Sequence, residues 1–316
     1  MTNPSNSIII ESLQVATVIF LAPLFTGWVR MLKCWAQART SAGIVQPYRD
    51  IYKLFFKEVV LAENASWIFR FTPYMVFGAT VMAGAIIPVI STRAPLSATA
   101  DIIALVAIFA LARFFSALAG MDAGTAFGGM GSSREMMVAS LAEPAMLMSV
   151  FTISLVNRST SLSQMTHVIV NSPIILRPSL AFALLAFTLI AIAETGRIPV
   201  DNPATHLELT MIHEAMCLEF SGRHLALIEW AKEIKLFLFA SLGIALFAPW
   251  GMATGEALPS LIISYITLAA KLAVIGVAIV LIETRLAKMR IFRVPEFLGS
   301  AFLLATLGML SYFMLE

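Results

Sequence analysis

Long, nearly uninterrupted apolar runs dominate this sequence, and they decide what it can fold into. A helix needs about 20 apolar residues to cross the roughly 30 Å hydrocarbon core of a bilayer. Eight segments meet that need, over approximately 12–30, 71–92, 101–121, 136–156, 174–193, 225–250, 257–282 and 297–315. In lipid every backbone polar group must find its partner inside the protein, so self-satisfied helices are the expected spanning element. The runs predict an all-α polytopic membrane helix bundle, a single integral membrane domain over 1–316 with about eight transmembrane helices. Charged residues are 13% of the 316 and apolar residues 59%, which excludes an ordinary soluble enzyme and a disordered chain. The formal net charge of +2 offers no basic surface for nucleic acid. The opening MTNPSNSIII has no Lys or Arg, so the first run is expected to stay as a span rather than act as a cleaved signal.

Cation placement sets orientation, because cytoplasmic loops carry the excess of Lys and Arg. The loops at approximately 31–70, 122–135, 194–224 and 283–296, with Arg30 at the edge of the first, hold fourteen of the 21 cations. The opposite side holds Arg93, Arg158 and Arg177. The first set of loops is therefore expected in the cytoplasm, with both termini on the outer side. No internal repeat of the kind found in many secondary transporters is visible.

Two of the cytoplasmic loops are long, and long loops usually carry function. From Pro47 to Val59 the spacing is helical. Ile51, Leu54, Phe55 and Val59 share one face and Arg49, Lys53 and Lys57 another. That pattern suits a basic amphipathic helix at the membrane surface, with docking of a cytoplasmic partner as the sharper alternative. In the other loop, Asp201-Asn202-Pro203 reads as a helix start. The helix is expected to run to about Glu219 and end at Ser221-Gly222, with His206, Thr210, His213 and Cys217 on one stripe. His206 and His213 lie roughly 10 Å apart along such a helix and cannot share one ion. His213 with Cys217 supplies only two ligands, which makes a poor metal site. The stripe is read as facing a cavity or a partner, with no metal. Cys34 and Cys217 are too few to ligate an iron–sulfur cluster.

The charges inside the apolar runs are more telling, since each is costly in lipid and needs a partner or water. By helix rise Arg113 and Glu143 both lie roughly 10–12 Å deep from the cytoplasmic side, and Lys271 lies near the bilayer centre. A sixth helix starting near Ser221 would bring Glu229, Lys232, Glu233 and Lys235 into a similar band. Glu194 and Glu283 close the cytoplasmic ends of the fifth and seventh runs. This lateral belt suits a proton-conducting or charge-coupling path. Static pairing that fixes helix packing, such as Arg113 with Glu143, is the alternative.

Several motifs point to a family. Arg39, Gly43, Gln46, Pro47, Asp50, Lys53, Leu54, Lys57 and Glu58 give R-x3-G-x2-Q-P-x2-D-x2-K-L-x2-K-E. Arg134 precedes Glu143 by nine residues, and Glu194-Thr-Gly-Arg197-Ile-Pro199-Val-Asp201 leads to Glu208 and to Glu219-Phe-Ser-Gly222. The chain resembles subunit 1 of respiratory complex I over most of its length. The stretch from Gly196 to Glu233 is closer to the membrane subunit of group 4 nickel–iron hydrogenases, the hydrogenase-4 component C and formate hydrogenlyase subunit 4 branch. Ala204 and His206 stand where the complex I family carries glutamates, leaving Glu208, and Glu283 replaces a usual Arg. These departures fit a relative whose redox partner is protons or another carrier.

The resemblance implies a multi-pass subunit of the inner (cytoplasmic) membrane with no redox centre of its own. It would anchor hydrogenase-like large and small subunits, which carry the nickel–iron site and iron–sulfur clusters. It would pass the energy of electron transfer to antiporter-like membrane subunits, moving ions, with protons the expected ion. Glu143, Glu194, Glu208, Glu229, Lys232, Glu233, Lys235, Lys271 and Glu283 would form the coupling path. Arg39, Gln46, Asp50, Lys53, Arg134, Arg197, Asp201, His206, His213, Glu214 and Glu219 would line the cavity or interface. A quinone-binding subunit of a complex I-type oxidoreductase is the main alternative, and a free-standing ion transporter the second.

Overall fold

The computed structural model describes residues 4–62, 64–91, 101–171, 177–201, 211–253 and 258–315. Ala204, His206, Glu208 and the expected helix start at Asn202-Pro203 lie outside the described residues. Within them the fold is helical, with two isolated β-bridges and no strand. In chain order the helices are α1 (Pro4–Ala36), α2 (Gln46–Phe55), α3 (Trp67–Ile86), α4 (Ile102–Asp122), α5 (Ala126–Asn157) and α6 (Leu162–Asn171). There follow α7 (Pro178–Glu194), α8 (His213–Cys217), α9 (Gly222–Phe247), α10 (Leu258–Arg285) and, after a 3-10 turn at Ile291–Arg293, α11 (Val294–Leu315).

Five helices, α1, α4, α5, α10 and α11, are long and apolar enough to cross a membrane. Two others, α3 and α9, have the length but fall outside that set; α9 holds Glu229, Lys232, Glu233 and Lys235. The apolar α7 has 17 residues.

α9 organises the bundle. It packs against α1, α2 and α3 on one side and touches α6, α7 and α10 on others. Leu236, Phe237, Leu238, Phe239 and Ala240, five consecutive residues, are buried around its circumference. A helix apolar all round belongs in a core, and here the buried helix is also the charged one. α11 lies against α5 and α7, while α10 rests mainly on α1. Where α3 and α9 end, the backbone runs irregularly, and buried groups satisfy it. Gln14 Nε2 donates to the carbonyls of Gly84, Ala85 and Ile87 at 3.3, 3.1 and 2.8 Å. Ala253 N and Ser264 Oγ both donate to Ile90 O, at 3.0 and 2.6 Å.

Two expected boundaries move. α5 begins at Ala126, so the cytoplasmic loop expected over 122–135 shrinks to a short turn. Thr125 caps the new start, its hydroxyl accepting from Gly128 N at 3.2 Å. Arg134 and Glu135 therefore sit on a helix rather than in a loop. α2 stops at Phe55, short of Lys57 and Val59. The chain beyond it pairs with the start of α9, where Val60 and Ser221 exchange two hydrogen bonds of 2.7 Å. Of the expected apolar face, Ile51 is buried, Leu54 half-buried and Phe55 exposed, and Val59 lies beyond the helix. Pro47 and Ile51 are buried against α1 and α9, while Arg49 and Lys53 are exposed.

The α4–α5 hairpin depends on small residues. A Cβ at Gly128 would stand 2.2 Å from Gly120 O, and one at Gly120 would stand 2.5 Å from Ser132 Oγ. Small residues of this kind let membrane helices approach closely. Replacing Gly128 with Val forces the hairpin apart, a strain of about 1–3 kcal/mol. The expected result is a lower thermal midpoint in detergent for Gly128→Val, with Gly129→Val, where a Cβ meets open space, close to wild type.

Candidate functional site

The site is built around one guanidinium. Arg113 sits in the second half of α4, its side chain 6% exposed. Its Nη1 is 2.6 Å from Glu143 Oε1, its Nη2 is 2.5 Å from Glu194 Oε2, and its Nε is 3.4 Å from Glu135 Oε1. Glu143 and Glu135 come from α5 and Glu194 is the last residue of α7. The Arg113–Glu143 pair suggested by equal depth is present, and it is one arm of a larger cluster. Arg is suited to this position because its planar fork offers five donors to several carboxylates at once.

Two branches leave the hub. On one side, Lys235 of α9 places Nζ 2.9 Å from Glu194 Oε2. On the other, Glu135 Oε2 lies 3.4 Å from His213 Nε2, and His213 Nδ1 lies 3.5 Å from Asp201 Oδ2. Lys288 closes this branch 3.7 Å from Asp201 Oδ1. Asp201 also accepts from the backbone N–H groups of Ile212 and His213, at 3.3 and 3.2 Å. It thus holds the start of α8; the helix expected directly after Asp201 lies outside the described residues. With His213 protonated, four cations face four carboxylates along the run.

His213 and Asp201 shift accordingly. Burial works to lower the His213 pKa, but Glu135 and Asp201 outweigh it and hold the imidazolium above the usual histidine range. Burial likewise works to raise Asp201, and His213 and Lys288 carry it below the usual carboxylate range. Burial pushes the Cys217 thiol up to about 11, so it remains protonated near neutral pH. No group of three metal-ligating side chains occurs among the described residues.

Beside this run lies a cavity of about 250 Å³, twelve of whose eighteen lining residues are ionisable. Glu194, Asp201, His213 and Lys235 share it with three further sets of pairs. Lys232 Nζ is 2.7 Å from Glu229 Oε1 and 3.3 Å from Glu214 Oε1. Glu283 joins Lys33 at 2.7 Å and Arg197 at 2.5 Å. Arg30 spans Glu233 at 3.6 Å and Asp50 at 3.8 Å, and Gln46 Nε2 donates to Asp50 Oδ1 at 2.8 Å. Glu233 Oε2 is buried at the cavity wall with no hydrogen-bond partner among the described residues.

The structure thus brings together most of the residues expected from sequence, with three kinds of exception. Lys271 does not join the belt. It lies at the opposite end of α9, where Nζ donates to Ala248 O at 2.6 Å and to Trp250 O, capping the helix terminus. Arg39 and Lys53 are exposed and Glu219 is half-buried, all outside the network. Arg134 does not line the cavity; its Nη1 donates to Met211 O at 2.9 Å and steadies the backbone entering α8. Four participants were hidden in the sequence. Glu135 fell in the expected loop before α5. Arg30, Lys33 and Lys288 read as orientation markers.

Residues 10–314 match the NADH dehydrogenase family. The chain belongs to that family, in its complex I subunit 1 form. Hydrogenase-4 component C of Escherichia coli (strain K12) is 33% identical over 298 residues, covering 93% of this chain and 92% of that one. Formate hydrogenlyase subunit 4 of the same organism is 30% identical over 305 residues, covering 96% and 98%. An NADH-quinone oxidoreductase subunit of Phocaeicola vulgatus is 25% identical over 209 residues, covering 65% and 57%. Among solved structures, a chain of an archaeal membrane-bound sulfane sulfur reductase shares the fold. Its TM-score is 0.83 at 19% identity, covering 96% of this chain and 98% of that one. The chain is thus a membrane subunit of the hydrogenase and complex I type.

The His213 contacts carry a signed pH dependence. A group whose folded pKa is raised stabilises the fold fully below its unfolded value, about 6.5 for histidine. That contribution is lost as pH rises through the folded pKa. The thermal midpoint of wild type should exceed that of His213→Gln most at about pH 6, with the gap closing toward alkaline pH. A gap that widens with rising pH would contradict the assignment.

Proposed function

We propose that the chain is the membrane-anchoring and coupling subunit of a multisubunit membrane-bound hydrogenase complex. It has no redox centre of its own and links electron transfer in a cytoplasmic arm to ion movement, with protons the ion. It sits in the inner (cytoplasmic) membrane as one domain of eight transmembrane helices, both termini on the outer side. Its partners are hydrogenase-like large and small subunits, which hold the nickel–iron and iron–sulfur centres, and antiporter-like membrane subunits.

The observation that carries this reading is the unbroken run of close charges from Lys288 and Asp201, in the segments read as cytoplasmic, to Lys235 inside the bundle. Such a run can transmit a change of charge. At an effective dielectric constant near 20, two unit charges about 10 Å apart still interact by about 1.7 kcal/mol. A proton gained or lost beside His213, next to the docked arm, is therefore felt at Glu194 and Lys235. Glu143 is the least buried carboxylate of the cluster, its side chain 36% exposed.

A quinone-binding role in a complex I-type oxidoreductase is the second reading, favoured by the cavity and by the likeness to an NADH-quinone oxidoreductase. Against it, twelve of the eighteen residues lining the cavity are ionisable, whereas small-molecule pockets are lined mainly by hydrophobic and aromatic residues. The hydrogenase relatives also match nearly the whole chain, where the NADH-quinone oxidoreductase relative matches part of it.

Glu143→Gln removes one negative charge from the Arg113 cluster while keeping the side chain's shape. The complex should assemble, and proton translocation in reconstituted vesicles should fall at least tenfold per hydrogen turned over. Wild-type translocation in that variant would sink the coupling role.

A further inference from the structure

A second, very different recess lies between α7, α9 and α10. It is an elongated groove of about 560 Å³, walled by apolar side chains such as Leu184, Phe187, Phe247, Val274 and Ile279. Along α7 it runs from Leu184 to Thr195, and along α10 from Lys271 to Ile282. Each distance is about 17 Å by helix rise, close to the roughly 15 Å depth of one leaflet. Lys271, held by the carbonyls of Ala248 and Trp250, stands at the inner end, and Thr195 and Arg197 at the cytoplasmic end.

The cytoplasmic mouth is crossed by a basic segment. After α10 the chain passes to α11, which packs on α7, and on the way Met289 N donates to Pro199 O at 2.9 Å. Arg285, Arg290 and Arg293 on this crossing are exposed and in no ion pair among the described residues. Phe292 between them is 88% exposed, a large apolar ring among arginines. Arginines flanking an exposed aromatic, directly cytoplasmic of a spanning helix, are the composition that binds anionic lipid headgroups.

We infer that this groove holds one acyl chain of an anionic phospholipid from the cytoplasmic leaflet, with its headgroup on Arg285, Arg290 and Arg293. A partner's spanning helix fits less well. It needs about 30 Å, and it would have to continue through the basic crossing. Thr195, Arg197 and Leu236 line both this groove and the charged cavity. A lipid chain lying there keeps that cavity from opening sideways into the bilayer.

The test uses the assembled complex containing the full chain, in nanodiscs of phosphatidylglycerol and phosphatidylcholine mixed equally. Bound lipid is counted by mass spectrometry after a detergent wash. Wild type should retain phosphatidylglycerol over phosphatidylcholine. Ala278→Phe, which fills the groove from its exposed wall, should retain at least fivefold less lipid. Replacing Arg285, Arg290 and Arg293 singly and together with Gln should reduce the phosphatidylglycerol preference by about fivefold per cation. These three arginines lie on the surface, so their replacement leaves the bundle intact even if Ala278→Phe does not assemble. Equal retention of the two lipids by wild type, or a preference unmoved in the arginine variants, would overturn the inference. So would a cross-link from Val274→Cys to a helix of a neighbouring subunit.

Discussion

The Arg113 guanidinium is the point on which the bundle's arrangement turns. A buried cation must be paired, and removing one partner of such a pair costs about 3–5 kcal/mol. Arg113 meets this demand with carboxylates from two other helices, two on α5 and one at the end of α7. Glu194 then brings in α9 through Lys235. Four helices are therefore tied in rotation and depth, since any one of them turning would leave a buried charge alone. Apolar packing alone does not impose that, because lipid tails are as apolar as the side chains.

The same constraint explains why charge concentrates on α9, the helix most enclosed by protein. A charge on a lipid-facing helix has nowhere to go, whereas one on a central helix can be met from several sides. Lys235 meets Glu194 of α7, Lys232 meets Glu214 of α8, and Glu233 meets Arg30 of α1. The cavity sits where these groups converge. Glu283 shows the logic in reverse. An acid at the end of α10 is accommodated because Lys33 and Arg197 both reach it.

Much of this was legible in the sequence, because bilayer thickness imposes one length on each apolar run and charges within those runs stand out. The family likeness was carried by motifs at Arg39–Glu58 and Glu194–Asp201, and the family match bears it out. What stayed hidden was mostly a matter of boundaries and of distance along the chain. Helix α5 extends past its apolar stretch into Arg134 and Glu135, which hydropathy alone assigns to a loop. Lys33 and Lys288 look like orientation markers until the fold brings Glu283 and Asp201 to them. Lys271 misled in the opposite sense. Its depth matched the belt, but its partners are backbone carbonyls at the far end of α9, and no spacing rule shows which way a lysine points along a bundle.

Coupling as proposed requires charge to move along the Arg113–Glu194–Lys235 branch when the complex turns over. The most direct measurement is the number of protons moved per electron pair in vesicles of the reconstituted complex, with Lys235→Gln set against Arg39→Gln. Lys235→Gln should give a ratio near zero in an assembled complex, and Arg39→Gln, whose side chain lies outside the network, a wild-type ratio. A wild-type ratio in assembled Lys235→Gln would rule that path out.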